Sequence, residues 1–234
     1  MNIAIVTASI GHGHNSVALA LQETLHDDGY HNTQIFDILD DSKISQLLKS
    51  IYLEIVDKTP YLYSKIYSWT QRYQSTTTLI NYLSFLCLKS LTNIKKVFKP
   101  DIFIFTHPFP VIGYHQSLRV PAWTIITDYS FHPIWFNPKI RGYFVANNEI
   151  QEQLYKTNYP MDRVFDTGIP LKKSFSNTKN IDRSHMKSDN HKPLILIMGG
   201  GLGIGGLKEI VEELDKLDYS FQSNEVALPM EKSL

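Results

Sequence analysis

The chain has 234 residues, 43% of them hydrophobic and 12% aromatic, which is enough to bury a sizeable core in one large or two modest domains. Its 23 basic and 23 acidic residues cancel, so the overall charge gives no reason for a nucleic-acid partner. A single cysteine, Cys87, excludes an internal disulfide and fits a reducing compartment. No basic segment precedes the first apolar run, and the most apolar helical stretch, Leu79 to Leu88, falls well short of the roughly 20 residues a membrane span needs. Neither a signal peptide nor a transmembrane segment is therefore expected.

Residues 1–9, MNIAIVTAS, form a β-branched apolar run suited to a strand buried on both faces. The turn Ile10-Gly11-His12-Gly13-His14 follows. A helix comes next, with apolar Val17, Ala18, Leu21 and Leu25 and with Asn15 or Ser16 as its cap. Strand, glycine turn and helix open a doubly wound parallel α/β domain, which binds ligands at the carboxyl ends of its strands. A helix N-terminus suits an anion and disfavours an imidazolium, so it lowers a histidine's pKa and favours a base. His14, at the helix start, is the better functional candidate; His12 suits a solvent-facing loop. Asp28-Gly29 stops the helix, and residues 33–39 read as a second strand.

A helix is predicted over residues 42–58, opening an unusual region. Residues 42–100 hold nine basic and two acidic side chains, a local excess of +7 in a neutral chain. Lys65, Arg72, Lys89, Lys95 and Lys96 are among the cations, and Trp69, Tyr82 and Phe85 are among the interleaved aromatics. Basic helices with such rings suit an anionic membrane surface. A helical insertion with core tyrosines and solvated lysines is the plainer reading. Base stacking is a third, but no nucleic-acid motif accompanies it.

Buried parallel strands follow at 102–106, 121–127 and 140–146, and a last strand and turn at 163–170. A short helix is predicted over 111–118, and another after Asn147 or Asn148. His14, His107 and His132 thus lie at three strand ends, with Asp128 near the last, and can converge on one cleft. A carboxylate beside an imidazole orients the ring and stabilises its cation. No tight ligand cluster exists beyond His12 and His14, so no metal is expected.

Residues 176–192 are polar and aperiodic and read as a linker. Residues 193–198 form a fresh buried strand, followed by a loop with Gly199, Gly200, Gly201 and Gly203 and a helix from Leu207. Such a loop lets main-chain N–H groups approach a diphosphate. The residues after Gln222 do not read as another buried strand, leaving 223–234 as a tail.

Taken together, the Gly11–Ala18 turn, Lys99-Pro100-Asp101 with Thr106-His107-Pro108, Thr127-Asp128-Tyr129 with His132 and Trp135, Thr167-Gly168-Ile169-Pro170 and Met198–Gly201 carry a resemblance over roughly residues 3–218. They resemble the monogalactosyldiacylglycerol synthase and processive diacylglycerol glucosyltransferase family. That resemblance implies a GT-B glycosyltransferase fold with two Rossmann-like domains. The first, over 1–175, would bind diacylglycerol at the membrane, with 42–100 as its membrane-associating insertion. The second, begun at 193–222, would bind a UDP-hexose as donor. His14 would be the base, with Asp128 beside it as the second catalytic candidate. His12, His107, His132 and Trp135 would lie on the acceptor side. Gly199, Gly200, Gly201 and Gly203 would hold the donor diphosphate. Lys65, Trp69, Arg72, Lys89, Lys95 and Lys96 would face the membrane. No cofactor is implied, and the placement would be cytoplasmic, peripheral on the inner face of the cell membrane. The family pattern continues beyond the glycine loop with segments not found here, so an early-terminated member, inactive alone, is one expectation. A non-catalytic membrane-binding remnant and a related UDP-sugar enzyme, either a cell-wall lipid transferase or an epimerase, are the alternatives.

Overall fold

The computed structural model describes residues 1–9, 12–39, 78–176, 192–198, 207–217 and 222–226. The helix expected at 42–58, Lys65, Trp69, Arg72, nearly all of the linker and the glycines at 199, 200, 201 and 203 lie outside them. The chain divides into two compact units, Met1–Lys173 and Ser174–Leu234.

The first unit is a six-stranded, fully parallel sheet in the order β2-β1-β3-β4-β5-β6. The strands are β1 (Ile3–Thr7), β2 (Thr33–Asp37), β3 (Ile102–Phe105), β4 (Ala122–Ile125), β5 (Gly142–Val145) and β6 (Val164–Asp166). Parallel sheets need cover on both faces, which is why β1 reads as an unbroken apolar run, buried at all five positions. On one face α1 (Gly13–Asp27) sets Ala18, Leu21 and Leu25 against Ile3, Ile5, Ile35, Ile102 and Ile104. On the other, Ala4, Val6, Phe103, Phe105 and Tyr143 pack with Cys87, Leu91 and Ile94 of α2 (Thr78–Phe98) and Val111 of α3 (Pro108–Gly113). Ile150 and Leu154 of α4 (Asn148–Tyr155) complete that core.

The chain leaves β1 for β2 on one side, and the later strands build outward from β3 on the other. Strand order therefore reverses between β1 and β3, the place where open α/β sheets leave a crevice at their carboxyl ends.

Several local expectations are corrected. α1 begins at Gly13 with exposed His12 as its N-cap residue, which makes no side-chain cap bond. Asn15 does not cap: its Oδ1 accepts from Thr7 Oγ1 at 2.9 Å and its Nδ2 donates to Ser9 Oγ at 3.3 Å. The helix expected over 111–118 starts instead at Pro108 and ends at Gly113, because Tyr114 turns extended; a separate 3-10 turn spans Gln116–Leu118. Pro108 at the first helical position explains the earlier start, since its fixed φ and missing N–H suit that site. Asp28 closes α1, and Gly29 takes the positive φ of +88° that the turn needs.

In the second unit, β7 (Leu194–Met198) pairs in parallel with β8 (Gln222–Val226), and α6 (Leu207–Leu214) comes between them in sequence. A short helix, α5 (Lys173–Ser176), precedes them. The residues after Gln222 do not read as another buried strand, yet a strand runs over Gln222–Val226. Its sequence, QSNEV, lacks an apolar pattern, and the five-residue register with β7 rests on main-chain pairing that no side-chain periodicity announces.

Candidate active site

The crevice between β1 and β3 gathers its polar groups from three strand ends. His14 sits in the first turn of α1, partly buried, and its ring reaches across to the ends of β3 and β4. His14 Nδ1 lies 3.0 Å from the main-chain oxygen of Thr106 and 2.6 Å from Thr127 Oγ1. A carbonyl oxygen can only accept, so Nδ1 carries the proton and donates. The lone pair of the neutral ring is then on Nε2.

His107 follows β3. It is the N-cap residue of α3 in extended geometry, with Pro108 behind it, and its Nδ1 accepts the main-chain N–H of Phe109 at 3.1 Å. His132 repeats the device after β4: Pro133 follows it, and its Nδ1 accepts the N–H of Ile134 at 3.1 Å. Both rings are 4% exposed. Each caps with an imidazole where serine or asparagine is commoner, because the proline supplies no N–H and the next residue's amide is the first one within reach.

The rings of His14 and His107 stand 4.5 Å apart at 72°, edge to face. Trp135 lies 6.1 Å from His14, centroid to centroid, and is fully buried. It reaches the site through one bond: its indole N–H donates to Asp128 Oδ2 at 2.7 Å. His12 is exposed ahead of α1, and Asp128 is partly buried.

Burial lowers the pKa of His14 below the ordinary 6.5, while the Asp128 carboxylate and the Thr106 carbonyl pull it back up. Burial first, and then the nearby His14, hold His107 well below 6.5. At neutral pH both rings are therefore uncharged. His14 can take a proton on Nε2, and the imidazolium so formed faces a fixed carboxylate. The Thr106 carbonyl and Thr127 hydroxyl were not legible as ring-holders, because they lie 92 and 113 residues from His14. Among the described residues no group of three or more His, Cys, Asp or Glu could hold a metal ion.

Of the residues assigned to a membrane face, Lys89 and Lys96 are exposed on α2 and Lys95 is partly buried. No described helix is long and apolar enough to cross a membrane.

Sheet order, switch-point crevice and helix layers define a Rossmann-like α/β domain of the GT-B type. Solved structures share this fold. UDP-GlcNAc 2-epimerase from Neisseria meningitidis, bound to UDP-GlcNAc, matches at a TM-score of 0.52 and 14% identity, over 98% of this chain and 67% of its own. The lipopolysaccharide outer core galactosyltransferase WaaB, apo form, matches at 0.52 and 13% identity, over 99% and 63%. The chain belongs to the monogalactosyldiacylglycerol (MGDG) synthase family, whose profile matches residues 14–171. A processive diacylglycerol beta-glucosyltransferase of Bacillus cereus (strain G9842) is 28% identical over 218 residues, 90% of this chain and 56% of that protein. The chain thus spans about half the length of the curated relatives it matches.

Proposed function

We propose that this chain carries the acceptor half of a glycosyltransferase that moves a hexose from a UDP-hexose to diacylglycerol. One observation carries the reading: at the β1–β3 switch point His14 has its Nδ1 proton tied to the Thr106 carbonyl, which leaves Nε2 as a neutral base. In the reaction, the glycerol hydroxyl gives its proton to His14 Nε2. Its oxygen forms a bond to the anomeric carbon, and the bond from that carbon to the diphosphate breaks, with UDP leaving with the electron pair. Asp128 compensates the charge that His14 gains. Gly199, Gly200, Gly201 and Gly203 would face the donor diphosphate. Relatives with diacylglycerol glucosyltransferase in their names support the substrate class.

The membrane part of the proposal rests on α2. Tyr82 and Phe85 are 44% and 62% exposed, and Lys89 and Lys96 follow at helical spacing on the same side, opposite buried Cys87, Leu91 and Ile94. Such a stripe suits peripheral docking on the anionic inner face of the cell membrane.

The test is transfer of labelled sugar from UDP-glucose or UDP-galactose to 1,2-dioctanoylglycerol in anionic vesicles by a full-length relative into which this half is grafted, paired with direct binding of the acceptor by this chain. His14→Ala is expected to remove transfer and leave acceptor binding largely intact. Transfer that ignores this change would remove His14 as base. Vesicle binding that ignores both anionic lipid content and salt would remove the basic stripe, since surface electrostatics are screened by salt.

A further inference from the structure

His107 holds a polar atom that the protein does not use. The side chain is 4% exposed, and its Nδ1 is committed to the Phe109 amide. A ring nitrogen that accepts a hydrogen bond has no proton, so the neutral ring carries its proton on Nε2. Among the described residues that Nε2–H has no hydrogen-bond partner. The ring lies against His14 at the β1–β3 switch point, so a spare donor and the His14 base share one place.

The neighbouring His14, 4.5 Å away by ring centroid, has the opposite arrangement, a lone pair on Nε2. One uncommitted donor and one uncommitted acceptor, on adjoining rings, match a group that both accepts and donates. A hydroxyl is such a group, with one proton to give and two lone pairs.

We infer that His107 grips the acceptor's nucleophilic oxygen: its Nε2–H donates to one lone pair of the hydroxyl, the hydroxyl proton faces His14 Nε2, and the second lone pair is left to attack. His107 keeps its own proton throughout, and burial keeps the ring neutral, so it holds the oxygen without protonating it. This rests on the acceptor reading above and adds the group that selects a hydroxyl.

The chain as it stands, labelled with 15N-histidine, tests this in two arms. Long-range 1H–15N spectra are expected to show His14 protonated on Nδ1 and His107 on Nε2; a His107 protonated on Nδ1 overturns the inference with no mutation needed. The second arm measures binding of three probes in mixed micelles: 1,2-dioctanoylglycerol, its 3-O-methyl ether, and the isosteric analogue in which CH2 replaces that ether oxygen. The ether can accept but not donate, so its advantage over the carbon analogue isolates the His107 contact. That advantage is expected to be about tenfold in the unmodified chain. It should vanish in His107→Phe and persist in part in His107→Gln, whose amide can supply an N–H. A His107→Phe chain that still prefers the ether overturns the inference and leaves the acceptor reading standing. The inference is likewise overturned, and the acceptor reading kept, if the unmodified chain binds dioctanoylglycerol but treats ether and isostere alike. Failure to bind any probe overturns the acceptor reading, and this inference with it.

Discussion

The β1–α1 turn and the β3–α3 turn do the same topological job. Each takes a parallel strand out of the sheet and into a helix, each does it with a histidine, and the two rings lie 4.5 Å apart. They differ in where the histidine falls relative to its helix. His14 is inside the first turn of α1, so its ring crosses to the Thr106 carbonyl and the Thr127 hydroxyl. His107 precedes α3 in extended geometry, φ −139° and ψ 148°, so its ring folds back on an amide two residues on. A distant carbonyl puts the proton on Nδ1, and a local amide puts it on Nε2. A shift of a residue or two between histidine and helix start makes two neighbouring imidazoles complementary instead of redundant.

The largest expected effect breaks the comparison on the β1 side. In the transfer assay His14→Ala should cost about 10²- to 10⁴-fold in turnover, the range for a lost general base. His107→Phe in the same assay should cost far less, about tenfold, the weight of one hydrogen bond. Equal losses would erase the difference between the two turns.

A second change strikes only the β3 side. A Cβ built on Gly113 would stand 2.3 Å from Cys87 Cβ and 2.9 Å from its main-chain carbon, where α3 lies against α2. Burial there is tight enough to push the Cys87 thiol up to about 12. Gly113→Ala must part the helices, and overpacking of this kind costs about 1–3 kcal/mol. Denaturant melts measure the loss, and the His107 amide contact should loosen while His14 Nδ1 keeps its proton.

A pH titration sharpens the contrast. The folded His14 has a lowered pKa, so below the ordinary 6.5 the unfolded chain binds more protons than the native one. Its contribution to stability is full above about 6.5 and is lost as pH falls from there toward the folded value. NMR should show His14 titrating below 6.5 and His107 remaining neutral lower still. Asp128→Asn removes the carboxylate that raises His14, so His14 should move further down. The smallest effect is expected from Thr127→Val, about 0.5–1.5 kcal/mol in stability, because the Thr106 carbonyl still fixes the tautomer.

Much of the sheet is legible in the chain because parallel strands are buried on both faces and their composition says so: IAIVT and IFIF need no further signal. The meeting of His14, His107 and Asp128 follows from strand ends sharing an edge. The proton positions do not follow, since His14's partners come from residues far along the chain. Trp135 shows the same limit. Its place near Asp128 is visible from sequence, but full burial, with only the indole N–H turned to the carboxylate, depends on the packing of residues 131–136 against the core. The strand at 222–226 and the start of α3 escaped for local reasons, a polar sequence in one case and a proline-led helix start in the other.

The imidazole of His107 has a mechanical side. The amide that it accepts from belongs to the opening turn of a six-residue helix. Whenever that turn unwinds, the amide swings off, Nδ1 is released, and the ring is free to exchange one tautomer for the other. Loosening a few residues of backbone is thereby converted into a change in what the pocket offers a ligand, donor or acceptor, before any wall of the pocket has moved.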